Sequence, residues 1–453
     1  MADVFYEELI TIFNGYSDKI AFEYLDGDEV ISKTYNELIA DIDSCIDLLL
    51  RYGIKNRRIG FYASNSYEWV VFSVACVAIN NLIFLFDSSV ENIEKQYIET
   101  YKVDFIISDK NGLLEEQLFR YGKLTVYIGF NYNYSDIADE IANFVLFTSG
   151  STGEPKGLLI SSVNMLRAIG SVGKHFNSYD NTILTLPLNH IYGFACVTFA
   201  HLIRGEKVFI SRGIKYLSRE LVKFNPSSIF MVPTLLYSYF DLNIKYCHSV
   251  ERVFGNKLSA IYVGGGKLDQ SYVSKYNSIG ITVMNGYGCS ELCGCVSIMD
   301  EKCTELDSVG RVFENIEAKI EDGEILIRSP YRMMGYYDGN DLTDPFDDGW
   351  YRTGDLGRLE DGYLFVDGRV NGLIALPNGK NIHGSWLMEQ IMKIQGVVDT
   401  YIESGKKGLK VVVVSEESVD VNNIKENLNS LNSGLPAYSK IMEVEYLVGG
   451  NDL

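Results

Sequence analysis

Apolar residues along this chain come in short blocks, and the stretches between them carry helical spacing. Residues 58–63, Arg-Ile-Gly-Phe-Tyr-Ala, predict a buried strand followed by a helix that runs to Val77. Blocks at 83–86, 105–108, 208–211, 228–232, 260–263 and 282–284 continue the series. Strand-length runs separated by segments of 3.6-residue period predict an α/β fold of layered, mostly parallel sheets and helices. Residues 317–320 and 324–327, joined by Asp322-Gly323, predict a hairpin, and 362–366 a further short strand. The most apolar stretch, near residues 69–86, is interrupted by Ser73, Asn80 and Asn81. It predicts a buried helix and strand and not a membrane span, which needs ~20 uninterrupted apolar residues.

The pattern changes near Asp367-Gly368-Arg369. We expect a large unit over 1–367 and a small α+β unit over 368–453. The small unit has a β-α-β-β-α look: a strand at 373–376, a helix from about 385 to 393, strands at 397–403 and 409–414, and a helix at 421–431. The length of 453 residues agrees with more than one unit.

Composition narrows the class. The chain is 47% hydrophobic and 22% charged, which suits a globular protein with a large core. Its net charge of -20 disfavours nucleic acid or an anionic membrane as a partner. An anionic ligand would need a local cluster of donors and a divalent cation. Asp3, Glu7 and Glu8 near the start give no basic region of a signal peptide. Eight cysteines, most of them in apolar runs, point to a reducing, cytoplasmic setting.

Three segments carry chemistry. In Phe147-Thr148-Ser149-Gly150-Ser151-Thr152-Gly153-Glu154-Pro155-Lys156-Gly157, hydroxyls, glycines and one lysine lie between two apolar runs. Glycines let backbone N–H groups approach an anion, hydroxyls add donors, and Lys156 adds a point charge, as a polyphosphate requires. The G-x-x-x-x-G-K spacing of a Walker A loop is absent. In Asn285-Gly286-Tyr287-Gly288-Cys289-Ser290-Glu291, a tyrosine between glycines can offer its face to a base, and Glu291 is a hard oxygen ligand suited to Mg²⁺. In the third, residues 348–357 with Gly368-Arg369, Asp355 can accept from a diol and Arg369 can serve a sugar or phosphate.

Together, in this order and spacing, these segments resemble the adenylate-forming superfamily of acyl-CoA synthetases, aryl-acid ligases, adenylation domains and luciferases. The resemblance runs from about Lys33-Thr34-Tyr35-Asn36-Glu37-Leu38 to Gly396-Val397. It implies a chain that uses ATP and Mg²⁺ to convert a carboxylic acid into an acyl-adenylate with release of pyrophosphate. Transfer to CoA or to a phosphopantetheine carrier protein would follow. It implies that Thr148, Ser149, Gly150, Ser151, Thr152, Gly153 and Lys156 hold the β- and γ-phosphates. Asn285 would bond the adenine edge, Tyr287 with Gly288 would pack on the base, Ser290 would touch the α-phosphate, and Glu291 would hold the metal. Asp355 would take the ribose hydroxyls with Arg369 beside them. Gly264, Gly265 and Gly266 match the glycine-rich strand end beside the adenine and acyl groups. In Leu186-Pro187-Leu188-Asn189-His190-Ile191-Tyr192-Gly193, His190 matches a histidine near the substrate carboxylate. Members that activate α-amino acids carry a Phe-Asp pair there, and this chain does not, which favours a fatty or aryl acid. Asn371 takes the hinge position, where the family has Asp or Lys.

The resemblance also has gaps. The family closes on a Gly-Lys whose lysine meets the carboxylate and α-phosphate. Here Gly449-Gly450-Asn451 resembles the run-in, with no lysine after it. Two other readings therefore stand beside the first: an enzyme loading a carrier with an amino or hydroxy acid, and a relative with impaired catalysis. Cys289, Cys293, Cys295 and Cys303 have neither zinc-ribbon nor iron–sulfur spacing, so free thiols are expected.

Overall fold

The structure is a computed structural model that describes residues 4–88, 94–129, 142–149, 155–176, 180–240, 249–266, 268–299, 307–370, 373–376, 381–415 and 421–448. Local chemistry sets many of its element boundaries. The helix Tyr35–Arg51 starts at a capping box: Thr34 Oγ1 accepts from the Glu37 N–H, and the Glu37 carboxylate accepts from the Thr34 N–H. Ser66 caps Tyr67–Ala78, whose side chains are all buried apart from half-buried Glu68. That all-round burial is why the stretch is so apolar. Among the described residues no helix is long and apolar enough to cross a membrane.

Two large sheets dominate. In the 13-stranded sheet, Ile20–Asp26, Lys207–Ile210, Asn181–Leu184, Ser228–Met231, Ala260–Val263 and Thr282–Cys289 lie side by side and parallel. Three of them, Asn181–Leu184, Ser228–Met231 and Ala260–Val263, are buried at every position; the last two read as apolar blocks, whereas Asn181–Leu184 opens on polar Asn181 and Thr182 and was not anticipated. Beyond Thr282–Cys289 the sheet turns antiparallel through Gly294–Ile298, Arg311–Val312, Tyr363–Arg369, Trp350–Glu360, Glu324–Arg328 and Glu317–Glu321. In the 9-stranded sheet, Leu82–Leu85 is parallel to Arg58–Tyr62 and Ala142–Ser149, and the outer strands are antiparallel.

The expectation of mostly parallel sheets is therefore corrected to mixed sheets. Several of the antiparallel strands, among them Arg311–Val312, Glu317–Glu321 and Trp350–Glu360, are partly exposed and carry charged residues, so they show no apolar block. The hairpin at Asp322-Gly323 forms as read, with Asp322 at φ +51° and Gly323 at φ +81°. The strand expected at 362–366 runs further, over Tyr363–Arg369, so the large sheet continues through Arg369.

Residues after 373 make a separate layer. Leu373–Ala375 pairs with Asn381–His383. Val397–Gly405, Gly408–Ser415 and Ile441–Val448 form a three-stranded sheet. Leu387, Ile391, Leu409, Val411, Val413, Ile424 and Leu428 pack into their own core between that sheet and the helices Gly384–Met392 and Val421–Gly434. The last strand, Ile441–Val448, runs parallel to Gly408–Ser415 and was not anticipated.

Candidate active site

Parallel strands leave their carboxyl ends open for ligands, and here those ends form one wall of a cleft of about 2160 Å³. Pockets for single small molecules are typically ~300–1,000 Å³, so this cleft has room for a nucleotide and a second substrate together.

Two strands that pair antiparallel flank the phosphate-loop candidate. Ala142–Ser149 and Pro155–Ser161 pair with Thr148 opposite Lys156 and Ser149 opposite Pro155. Gly150, Ser151, Thr152 and Gly153 lie outside the described residues, and for Ser149 only the backbone is described. Thr148 and exposed Lys156 line the cleft, and Lys156 Nζ lies 5.2 Å from the centre of the Tyr336 ring.

Asn285, Tyr287, Gly288, Ser290 and Glu291 follow from the strand Thr282–Cys289 and the 3₁₀ turn Ser290–Leu292, and all line the same cleft. Gly288 is required by packing, since a Cβ there would run into the Gly294 carbonyl of the neighbouring strand. Asn285 is buried and anchored in the sheet, where its carbonyl accepts from Met299 N–H. Tyr287 extends across to the antiparallel half, and its hydroxyl donates to Asp355 Oδ2 at 2.5 Å.

Asp355 and Arg369 face each other as register partners in adjacent strands. Arg369 Nε sits 2.5 Å from Asp355 Oδ1 as an ion pair whose N–H is not directed along a hydrogen bond. Burial pushes the Asp355 carboxyl above the usual range, against the pull of Arg369 and Tyr287. Burial and the neighbouring Asp355 charge also raise the Tyr287 phenol. Each Asp355 oxygen already carries a partner, so a ribose diol at this carboxylate would share or displace those contacts.

Glu291 turns its carboxylate into the cleft, where Oε1 accepts from Tyr336 Oη at 3.0 Å. Tyr336 Oη lies 3.0 Å from Tyr351 Oη. A hard carboxylate oxygen facing a cleft beside the phosphate-loop hairpin fits a divalent cation such as Mg²⁺.

On the parallel side, His190 is exposed in the cleft. Its neighbour Gly193 packs so tightly that a Cβ would strike the Pro187 carbonyl, which holds the turn that presents the histidine. Tyr192 Oη donates to the Tyr262 carbonyl at 3.2 Å, and a Cβ on Gly264 would lie 3.4 Å from that ring. Gly264 thus leaves room beside an anchored aromatic, while a Cβ on Gly266 would lie 3.0 Å from the Leu376 carbonyl. Phe176 and Phe230 line the wall nearby, with ring centres 5.0 Å apart.

The structure therefore brings together the described candidates from all three segments, with His190 and the glycine triplet. Asn371 lies outside the described residues. Cys289, Cys293 and Cys295 are free thiols, and burial raises all three; Cys303 lies outside the described residues. The sequence reading missed Tyr336 as a cleft residue. It also missed Lys406, which lines the cleft from the later layer with Nζ 3.6 Å from Asp269 Oδ2. Only the aromatic pair in Gly335-Tyr336-Tyr337 hinted at the first, and nothing local marked the second.

Comparison with known proteins bears on the fold and the family. Over 94% of its length, the chain is 23% identical to the probable chloroplastic acyl-activating enzyme 16 of Arabidopsis thaliana, covering 78% of that protein. It is 26% identical to the 2-succinylbenzoate–CoA ligase of Staphylococcus epidermidis, with 82% of this chain and 79% of the relative aligned. Its fold matches o-succinylbenzoate–CoA synthetase of Bacillus subtilis in complex with ATP and magnesium ion, with a TM-score of 0.66 at 21% identity over 97% of this chain and 95% of the other. Residues 11–337, most of the chain, match the sequence profile described as AMP-binding enzyme, and the chain belongs to that adenylate-forming family.

Proposed function

We infer that this enzyme uses ATP and Mg²⁺ to activate a carboxylic acid as an acyl-adenylate, and then passes the acyl group to a thiol of CoA or of a carrier protein. The observation that carries this reading is the meeting of Lys156, Glu291, Tyr287, Asp355 and His190 around one cleft in a member of the AMP-binding family. CoA ligases among the relatives favour CoA over a carrier as the acceptor.

In the first step a carboxylate oxygen attacks the α-phosphorus. The bond from that phosphorus to its bridging oxygen breaks, and pyrophosphate leaves. Lys156 and the loop donors hold the leaving phosphates, and Ser290 contacts the α-phosphate. Glu291 would hold Mg²⁺, which when bound would supply charge neutralisation for the pyrophosphate. Tyr287 and Asn285 hold the base, Asp355 and Arg369 the ribose, and His190 lies beside the acid carboxylate. In the second step a thiolate attacks the acyl carbon and AMP departs. Residues 368–453 act as a small unit that turns about Asn371 between the steps. These groups work by positioning and by electrostatics, and no covalent enzyme intermediate is needed.

The acid is a fatty or aryl acid without an α-amine. The cleft around His190 and Gly264 is lined by Leu186, Ile191, Tyr192, Phe230, Val232 and Val263. An ammonium buried there without a carboxylate partner would be costly. Acid-dependent ATP–pyrophosphate exchange across aryl, fatty and α-amino acids tests the proposal. Exchange with an aryl or fatty acid supports it. An α-amino acid as the best substrate would overturn the reading of the His190 wall, and exchange with none would overturn the activity.

A further inference from the structure

The segment after Tyr331 ties the proposed metal carboxylate to the phosphate-loop hairpin at three points. The Met333 N–H donates to the Glu291 carbonyl at 2.9 Å. The Met334 N–H donates to the Leu159 carbonyl at 2.7 Å, and Gly335–Tyr337 then pairs antiparallel with Pro155–Ser161, with Tyr336 opposite Leu158. The Tyr336 side chain supplies the third tie. Its ring lies under Lys156 Nζ and its hydroxyl reaches Glu291 Oε1. Tyr351, buried on the strand Trp350–Glu360, meets that hydroxyl from the nucleotide side of the cleft.

A glutamate side chain has three rotatable bonds, and a ligand carboxylate is useful only when its orientation is fixed before the ligand arrives. Glu291 stands on a three-residue turn, which does little to restrict its side chain. Tyr336 stands on Gly335–Tyr337, the strand paired edge to edge with Pro155–Ser161, which bears Lys156. We propose that Tyr336 is a positioning residue that holds the Glu291 carboxylate in register with Lys156, with Tyr351 fixing the direction of its hydroxyl. The three side chains form a relay from the phosphate-loop hairpin through the metal site to the strand that bears Asp355.

This inference rests on the reading of Glu291 as the magnesium ligand. The test is a calorimetric titration of ATP into the full chain at a series of Mg²⁺ concentrations and in EDTA, for the wild type and for Glu291→Gln, Tyr336→Phe and Tyr351→Phe. Phenylalanine keeps each ring and removes only the hydroxyl. In Tyr336→Phe, the Mg²⁺ concentration for half-maximal enhancement of ATP binding should rise roughly 10-fold, the usual scale for losing an outer partner of a ligand. ATP affinity in EDTA should stay within about 2-fold of wild type, because the Lys156 and Asp355 contacts are untouched. Tyr351→Phe should shift the Mg²⁺ requirement in the same direction by less. Adding Tyr336→Phe to Glu291→Gln should cause no further shift. If Glu291→Gln shifts the Mg²⁺ requirement and Tyr336→Phe does not, the positioning role is wrong and the metal assignment stands. A Tyr336→Phe loss that is equal with and without Mg²⁺ would make the tyrosine merely structural and also overturn the proposal. A wild-type protein whose ATP binding ignores Mg²⁺ would sink both the proposal and the reading beneath it.

Discussion

The two halves of the 13-stranded sheet meet at the strand Thr282–Cys289, and they furnish the cleft differently. The parallel half ends in Leu186, Val232, Val263 and Gly264, with Phe230 packed behind them. The antiparallel half brings Glu324, Arg352, Asp355, Arg358 and Arg369 to the same space. Strands buried on both faces are mostly apolar, so the polar chemistry facing the cleft is left to the loops at their ends. Half-exposed antiparallel strands can carry a charged residue within the strand itself, as Asp355 and Arg369 show. The motif from Asn285 to Glu291 lies where one regime gives way to the other. The cleft thereby acquires an apolar wall suited to an acyl or aryl group and a charged wall suited to a nucleotide.

The sharpest way to break that division is at the charged side. Lys156→Ala or Glu291→Ala should reduce pyrophosphate exchange by roughly 10²–10³-fold, the scale for losing one oriented electrostatic group, while the thermal midpoint stays near wild type. Wild-type exchange in either variant would remove the phosphate and metal roles. Asp355→Asn keeps the shape of the side chain but removes the charge that faces Arg369 and Tyr287. ATP affinity should fall by about 10-fold, since hydrogen bonds to charged groups contribute roughly 1.5–3 kcal/mol. Equal ATP affinity in this variant would mean that the ribose is held elsewhere.

The apolar side should respond to pH through stability. His201 is buried behind Phe176 and Phe230, with Nδ1 2.7 Å from the Val197 carbonyl and Nε2 3.9 Å from Glu206. Burial, with Arg204 adding to it, lowers its pKa to about 3 from the ordinary 6.5. Between those values the unfolded chain binds a proton that the folded chain refuses. The stability from neutral His201 is therefore complete above about pH 6.5 and is lost as pH falls toward 3. The slope reaches roughly 1.4 kcal/mol per pH unit for one full proton. Urea midpoints between pH 7 and pH 4 should show a shallower slope in His201→Gln than in wild type. Identical slopes would mean that the histidine takes up a proton in the folded protein.

The same contrast explains what could be read from residue order. Arg58–Tyr62, Phe105–Ser108, Ser228–Met231 and Ala260–Val263 announce themselves because burial on both faces writes an apolar block into the chain. Arg311–Val312, Leu342–Thr343 and Gln117–Tyr121 do not, because short, partly exposed strands obey no such rule. Ile441–Val448 was missed because it carries no continuous apolar block: Met442 and Val444 alternate with Glu443 and Glu445, and Met442, Val444 and Leu447 are exposed.

The sequence by itself determined the family, and it marked the glycine- and hydroxyl-rich loop before Lys156 and the candidate roles of Tyr287, Glu291, Asp355 and Arg369. Each of these is a local requirement, in which a residue type and its glycine neighbours meet the chemistry of a phosphate, a base or a diol. Only the tertiary structure decided that Tyr336 reaches Glu291, that Tyr287 reaches Asp355 across 68 positions of chain, and that Lys406 enters the cleft beside Asp269. Those contacts join strands distant in sequence, and their partners are set by sheet order and register, which no local pattern of apolar and polar residues specifies.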